Sequence, residues 1–517
     1  MRCILFQNHE ERKDIMKGLN RVTAIALMLS MLAACGAAQD QAQTAVGPAD
    51  TDSVSIQLSD QGVKVEGGEA GSNPDAAVYV ANDIIYYEEG KDFTYGEGTE
   101  DDSHNAKEAA AHTVVHITQP GTYSISGQLS RGQIAVDLGE DAEEDPDAVV
   151  TLILNGMDIA CAVAPAIIFY NVYECGSADT ETAAKDVDTS AAGANVIIAD
   201  GTTNTVTGSY VARIYKPGSV ELSQDGTEVL DAKKLHKYDA AFYSKMSMNV
   251  SGGEEGSGVL YIDAESEGLD SELHLTINGG NLNIESGNDG INTNEDSVSV
   301  TTINGGNLTI TVTGETGEGD GIDSNGWLVI NGGKVIAAAC GSSMDSGIDA
   351  DMGIHINGGT VISSGHMLDR IGDGGQNYVV FSFAEKQKGG TEYTLKPEDG
   401  HMLASYTPAN DFSVLLVSDA SLSAGDYSLW QGEVETGTQM AGSAGSMMGG
   451  PSMGGMMPPM PEDFDPSQLA EMPGGMEPPE GGFGGGGFPG QGGGAELSAV
   501  FAITDGGTMF SRVAPAE

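Results

Sequence analysis

Basic residues are scarce in this chain. Its 517 residues include 22 Lys+Arg against 76 Asp+Glu, a formal charge of −54. Phosphate neutralisation needs clustered cations, so a nucleic-acid binder is excluded, and docking to anionic lipid by charge is disfavoured. Cysteine is rarer still, with five in all. Cys3 lies in an N-terminal leader and Cys35 in a motif of its own. That leaves Cys161, Cys175 and Cys340, an odd number without C-x-x-C, which indicates neither a zinc site nor a disulfide framework. Cys161 and Cys175 could pair, but three small buried thiols are expected. Helical apolar stripes are missing beyond the N-terminus, and so are G-x-S-x-G and P-loop motifs. His112 and His116 stand four apart in a strand pattern and lack the Glu of H-E-x-x-H, so a zincin is excluded.

Glycine, by contrast, is abundant at 74 residues, about twice the usual ~7%. The glycines show no three-residue period, which rules out collagen. Hydrophobic residues at 39% suffice for a core, and the length allows two or three domains or one long solenoid. Such acidity fits a secreted protein that meets divalent cations, and equally plain solubility. Met16-Lys17 and Arg21 form a basic n-region, and Val22 to Leu32 is an apolar run too short to span a bilayer. It ends in Leu32-Ala33-Ala34-Cys35-Gly36, which resembles a bacterial lipobox with Cys35 as the lipidated residue. Residues 1–34 therefore read as a lipoprotein signal, with Met16 as the true start, and 35–53 as a tether. The expected location is the extracellular face of the cell membrane.

From residue 54 onward short runs alternate, as in Val54-Ser55-Ile56-Gln57-Leu58 and Tyr123-Ser124-Ile125-Ser126. A period of two bounded by Gly, Asp and Pro indicates strands. Ile-Asn-Gly-Gly then recurs at Ile277, Ile303, Ile330 and Ile356, at intervals of 26, 27 and 26. Each copy has an apolar residue five places on (Leu282, Leu308, Val335, Val361) and another position two places before (Leu275, Thr301, Leu328, Ile354). Val250-Ser251-Gly252-Gly253 reads as a degenerate earlier copy and Leu154-Asn155-Gly156 as one earlier still. Short β-runs and Gly turns repeating at this length predict a solenoid. The frame excludes leucine-rich repeats and the length excludes propeller blades. The expected fold is all-β, a parallel β-helix over 54–375. Residues 376–435 read as a β cap, 436–495 as a disordered loop and 496–513 as returning strands of the cap. Residues 436–495 hold 19 Gly, 9 Pro and 9 Met with no Lys or Arg, a composition that cannot bury a core.

Acids ride on the repeat. Glu267-Gly268-Leu269-Asp270-Ser271-Glu272 is followed by Asp289-Gly290-Ile291-Asn292-Thr293-Asn294, then Asp320-Gly321-Ile322-Asp323-Ser324-Asn325, then Asp345-Ser346-Gly347-Ile348-Asp349-Ala350-Asp351. With the apolar residue inward its neighbours face outward, so stacked coils make columns. One holds Asp270, Asn292, Asp323 and Asp349; beside it stand Glu272, Asn294, Asn325 and Asp351. A third holds Glu267, Asp289, Asp320 and Asp345, loosened by one extra residue in the last copy. Carboxylates ~4.8 Å apart repel by roughly 3–4 kcal/mol at an effective dielectric near 20. Asn must break the run or a cation must sit between rungs, and oxygen donors of this kind suit Ca²⁺. The expected ligands are Asp270, Asp289, Asn292, Asn294, Asp320, Asp323, Asn325, Asp345, Asp349 and Asp351. Asx turn capping without metal is the alternative. Trp327 offers a ring for a sugar or a cap for the core. A basic island (Arg213, Lys216, Lys233, Lys234, Lys237, Lys245) offers Lys233, Lys234 and Lys237 to a glycan, or to the chain's own acids.

The Ile-Asn-Gly-Gly repeats, Asp320-Gly321-Ile322-Asp323, Gly121-Thr122-Tyr123 with Gly127 to Val136, and Val196 to Asn204, together with the lipobox, resemble the carbohydrate-binding β-helix lipoproteins of anaerobic bacteria. That family was formerly a domain of unknown function. The resemblance covers roughly residues 54–430 and the last strand pair. It implies a right-handed parallel β-helix, calcium in the coils, and a non-catalytic role in binding cellulose or acidic plant polysaccharide. Two other functions fit the residues. A pectate-lyase-like β-eliminase would need calcium and a base, for which Arg370 beside Asp369 and Asp373 is the nearest. An adhesin or assembly protein would use the cap and the Gly/Met loop.

Overall fold

A computed structural model describes residues 53–440, 501–503 and 506–515. The signal, Cys35 and nearly all of the Gly/Met-rich loop lie outside the described residues. Within them the chain is all-β, with large and mostly parallel sheets. Helix is confined to Ala106–Ala109 and a 3-10 turn at Glu140–Glu144. No helix among the described residues is long and apolar enough to cross a membrane.

The repeat builds three ladders. In the first, Met248–Gly252, His274–Ile277, Val300–Ile303, Trp327–Ile330 and Gly353–Ile356 pair in parallel and in register. The second joins Val259–Ala264, Asn281–Ser286, Asn307–Val312, Lys334–Ala338 and Thr360–Gly365 in the same way. The third joins Ala240–Ser244, Glu267–Ser271, Ile291–Thr293 and Ile322–Ser324. From Glu267 onward the chain visits the ladders in a fixed order: third, first, second, then third again one rung on. The 26- and 27-residue intervals of the sequence are thus the distance between neighbouring rungs.

Each ladder buries the apolar positions that the period marks. Leu275, Leu328, Ile354, Ile277, Ile303, Ile330 and Ile356 are all 1% exposed or less, and so are Leu282, Val335 and Val361. Thr301 takes its place among them fully buried. The second Gly of each Gly-Gly pair makes the corner, with φ between +80° and +96° at Gly280, Gly306, Gly333 and Gly359. A Cβ at Gly333 would also fall 2.7 Å from the Gly306 carbonyl oxygen of the coil before. The Asn ahead of the pair is held too. Asn304 Nδ2 donates to Asn278 Oδ1, Asn331 to Asn304 and Asn357 to Asn331, at 2.9, 2.9 and 2.8 Å.

Two readings of the sequence need correction. Val250 does pair with Ile277, but Val196, which pairs with Val250, is matched by Leu152 rather than Leu154. The Leu154-Asn155-Gly156 copy is therefore two residues late. The strand Val150–Ala160 passes from the first ladder at 150–154 to the second at 158–160, turning on a single left-handed glycine, Gly156 at φ +77°, in place of a Gly-Gly pair. Among the cysteines, Cys161 and Cys340 are buried, but Cys175 is only half-buried; all three are free. Cys175 lies in the long 172–193 connection that leaves the third ladder's Ile167–Asn171 strand.

Past the repeats the sheet turns antiparallel. Phe412–Asp419 pairs against Thr360–Gly365, so the last parallel strand has no open edge. Tyr378–Gln387 pairs with Phe412–Asp419 on one side and, in parallel, with Gly507–Pro515 on the other. A separate cluster of Phe381, Phe383, Tyr393, Phe412 and Phe510 fills this part.

Candidate carboxylate centre

The third ladder carries the acids. Its inward side is Leu269, Ile291 and Ile322, followed two residues on by Ser271, Thr293 and Ser324, all fully buried. These hydroxyls satisfy one another and the corner: Thr293 Oγ1 lies 2.8 Å from Ser324 Oγ and 3.1 Å from Thr301 Oγ1, and Ser271 Oγ donates to the His274 carbonyl at 3.0 Å. The glycine of each Asp-Gly-Ile repeat is needed for close approach. A Cβ on Gly321 would stand 2.3 Å from the Gly347 carbonyl oxygen and 2.9 Å from Ala337 Cβ.

The first column stacks in register. Asp270 pairs with Asn292 and Asn292 with Asp323, and Asp349 N donates to the Ile322 carbonyl at 2.7 Å. The second follows it, since Asn325 N bonds Thr293 O at 3.0 Å and Asp351 N bonds Ser324 O at 3.1 Å. In the third column Asp289 Oδ1 accepts from Asp320 N at 2.6 Å, and Asp320 Oδ1 accepts from Ser346 N at 2.5 Å. Ser346, not Asp345, is thus the last rung of that column. The extra residue of Asp345-Ser346-Gly347-Ile348 pushes Asp345 back by one, where its carboxylate accepts from Gly319 N at 2.5 Å and from the Ser343 hydroxyl.

Outward does not mean exposed. Asp270 is fully buried, and Glu267 and Asn292 are each 7% exposed. The chain between the second and third ladders packs beside them: Glu267 N donates to Asp239 O at 3.1 Å, and Tyr238 meets Tyr243 at 5.3 Å between centroids. Burial pushes the Glu267 and Asp270 carboxyls well above the usual carboxylate range, and the neighbouring acids push the same way. Burial, with Asp323 next to it, lifts Asp289 to about 8. Burial and Asp351 lift Asp323 to about 7, and burial and Asp369 lift Asp349 to about 9.

Asparagine relieves part of the strain. Asn294 Nδ2 donates to Asp270 Oδ1 at 2.7 Å, Asn292 Nδ2 to Glu267 Oε1 at 3.2 Å, and Asn325 Nδ2 to Asp296 Oδ1 at 2.9 Å. Yet Glu267 Oε2, Asp270 Oδ2, Asn292 Oδ1 and Asp349 Oδ1 are buried without a hydrogen-bond partner. Asp320, Asp323 and Asp349 converge, each giving one oxygen within 4.8 Å of the others. Two oxygens that both lie about 2.4 Å from one ion are at most about 4.8 Å apart, so this trio stays inside the limit that a calcium shell sets. The donor set is all oxygen and its orphaned atoms are buried, so the residues fit a hard divalent cation.

The remaining candidates lie elsewhere. Trp327 pairs with Val300 and Gly353 in the first ladder and is half-buried. Lys234 bonds Glu97 at 2.9 Å, Lys237 reaches Glu272 at 3.8 Å, and Arg213 pairs with Asp239 at 3.0 Å; Lys233 is exposed. Arg370 is exposed as well. Asp239, Asp296 and Asp369 join the acids from outside the Asp-Gly-Ile motif, whose spacing therefore does not mark them.

A family model described as "Carbohydrate-binding domain-containing protein" matches residues 111–368, a span that includes every rung of the carboxylate columns. The match supports the carbohydrate-binding family for this chain. Among curated proteins no match was found. One solved structure is similar, that of the polysaccharide lyase-like protein from C. thermocellum, a gadolinium derivative. It is 19% identical and covers 60% of this chain and 90% of its own, with a TM-score of 0.35; so loose a likeness bears on neither mechanism nor ligand.

Proposed function

We propose that this chain is a non-catalytic, surface-tethered polysaccharide-binding protein whose three ladders wind as a right-handed parallel β-helix stiffened by calcium. The family match over residues 111–368 carries the glycan reading. Asp320, Asp323 and Asp349 would hold one ion, with Glu267, Asp270 and Asn292 as a second oxygen cluster nearer the N-terminal coils. A bound calcium supplies positive charge that offsets carboxylate repulsion. Because Asp270 and Asn292 are buried, an ion held there would serve the fold and could not bridge to a uronate. What supports a binding rather than an eliminating role is that the acids face amides, tyrosine and other acids, while Arg370 is an exposed residue. The tether would be lipid on Cys35.

A pull-down with cellulose and with insoluble polygalacturonate, in calcium and then in excess chelator, tests the reading. Retention on either glycan supports polysaccharide binding. Loss of retention in chelator from both would make calcium part of the binding surface or of its support. No retention under any condition, or release of unsaturated uronide ends, would overturn the binder.

A further inference from the structure

A recess of about 710 Å³ opens where the 234–238 segment passes over the third ladder. Four rings line it. His236 stacks on Tyr238 at 4.2 Å with 11° between planes, and Tyr170 and Tyr243 meet Tyr238 edge-on at 5.6 and 5.3 Å. His236 is 8% exposed, and neither of its ring nitrogens has a hydrogen-bond partner. Burial pulls its imidazole down to about 4, so the neutral ring offers one donor and one acceptor at once.

The charges around the recess nearly balance. Lys237 faces Glu272 at 3.8 Å, and Lys245 bonds Glu143 at 2.6 Å and Asn171 at 3.2 Å. Of the other lining charges, Lys234 bonds Glu97 at 2.9 Å and Glu140 adds one negative charge. The recess is therefore close to neutral within a chain of charge −54, whose overall field repels a polyanion. Aromatic walls for C–H faces, with ammonium, carboxylate, amide and imidazole groups around them for hydroxyls, are the chemistry of an uncharged sugar ring. Leaving both nitrogens of a buried imidazole unpaired costs free energy that ligand hydroxyls would recover.

We propose that this recess seats a neutral pyranose unit of the glycan and does so without calcium. The proposal rests on the polysaccharide reading above and gives it a place and a sugar class. Calorimetric titration of the full chain in excess chelator tests it, using cellohexaose, xylohexaose and mannohexaose as neutral probes and hexagalacturonate as the acidic one. At least one neutral probe should bind. Tyr238→Ala should weaken it tenfold or more, and His236→Phe, which keeps the stacked ring and removes only the nitrogens, about tenfold. Tyr238→Phe should stay within about threefold, which assigns the loss in Tyr238→Ala to the ring and not to the hydroxyl, and Lys334→Ala, at an exposed position, within about twofold. Unchanged binding in both His236→Phe and Tyr238→Ala would overturn the proposal. So would hexagalacturonate binding in calcium while no neutral probe binds, although the polysaccharide reading would then survive. If nothing binds with or without calcium, both fall.

Discussion

Replacing Asp323 by Asn should stabilise the protein without calcium and destabilise it with calcium. The oxygens of Asp320, Asp323 and Asp349 lie within 4.8 Å of one another, and each ionised pair costs roughly 3–4 kcal/mol at an effective dielectric near 20. Removing the Asp323 charge deletes two of the three pairs, a relief of ~7 kcal/mol if all were ionised. Protonation avoids part of that. Raising the Asp323 carboxyl from its ordinary 3.8 to about 7 corresponds to ~4 kcal/mol of penalty on the charged form, and this smaller figure is the better guide because Asp349 is held to about 9 and stays largely protonated. With calcium the sign turns, since the variant gives up a charged ligand and with it part of a binding contribution of about 4 kcal/mol at a thousandfold excess over Kd. Thermal or urea melts of both proteins at mildly alkaline pH, in calcium and in chelator, read the crossing. If Asp323→Asn is less stable by the same amount in both, Asp323 is a turn cap and the cation argument fails. A wild type that ignores calcium altogether would refute it more directly.

Much of this centre is legible in the chain. The Ile-Asn-Gly-Gly spacing sets the rungs, because a parallel ladder needs one corner per coil at a fixed distance, and the Asp-Gly-Ile-Asp spacing then lays Asp270, Asn292, Asp323 and Asp349 in one column. What the alternation does not reveal is what lies on top. Outward positions next to Leu269 look solvated in the repeat, but Asp270 is buried because residues 209–239, far from it in sequence, pack across that face. The same long connection assembles the Tyr170, Tyr238, Tyr243 and His236 rings, which no local period unites. Asp345 was misplaced for a different reason: a one-residue insertion moves a side chain off its column, and Ser346 N takes up the Asp320 carboxylate instead. The strand Val150–Ala160 shows another failure, a Leu-Asn-Gly match that lies two residues late and turns on one glycine, Gly156.

Gly333→Ala should cost more than 1 kcal/mol in a urea titration, since it forces a Cβ residue to φ +80° and to 2.7 Å from a carbonyl oxygen; Gly317→Ala, equally left-handed but with open space around it, should cost less, and equal losses would show that the stacked corner adds nothing. The pH dependence of the calcium-free protein carries its own sign. A carboxyl raised in the fold is protonated there while the unfolded chain has already ionised, so the folded state holds the extra proton and stability falls as pH rises. For Asp323, Asp289 and Asp349 that window runs from 3.8 to about 7, 8 and 9, at ~1.4 kcal/mol per pH unit for each group. His236 and His274 oppose it: burial pulls both from 6.5 to about 4, so between those values the unfolded chain holds the extra protons and stability rises with pH. Below 6.5 the two imidazoles offset two of the raised carboxyls. Above 6.5 they drop out and the decline is steepest, then eases as Asp323, Asp289 and Asp349 ionise in turn near 7, 8 and 9. On the proposed calcium reading, added calcium should take the place of the protons and flatten this limb. Melts of the chelated protein whose midpoints rise between pH 6.5 and 9 would show that these acids are not held as the columns require.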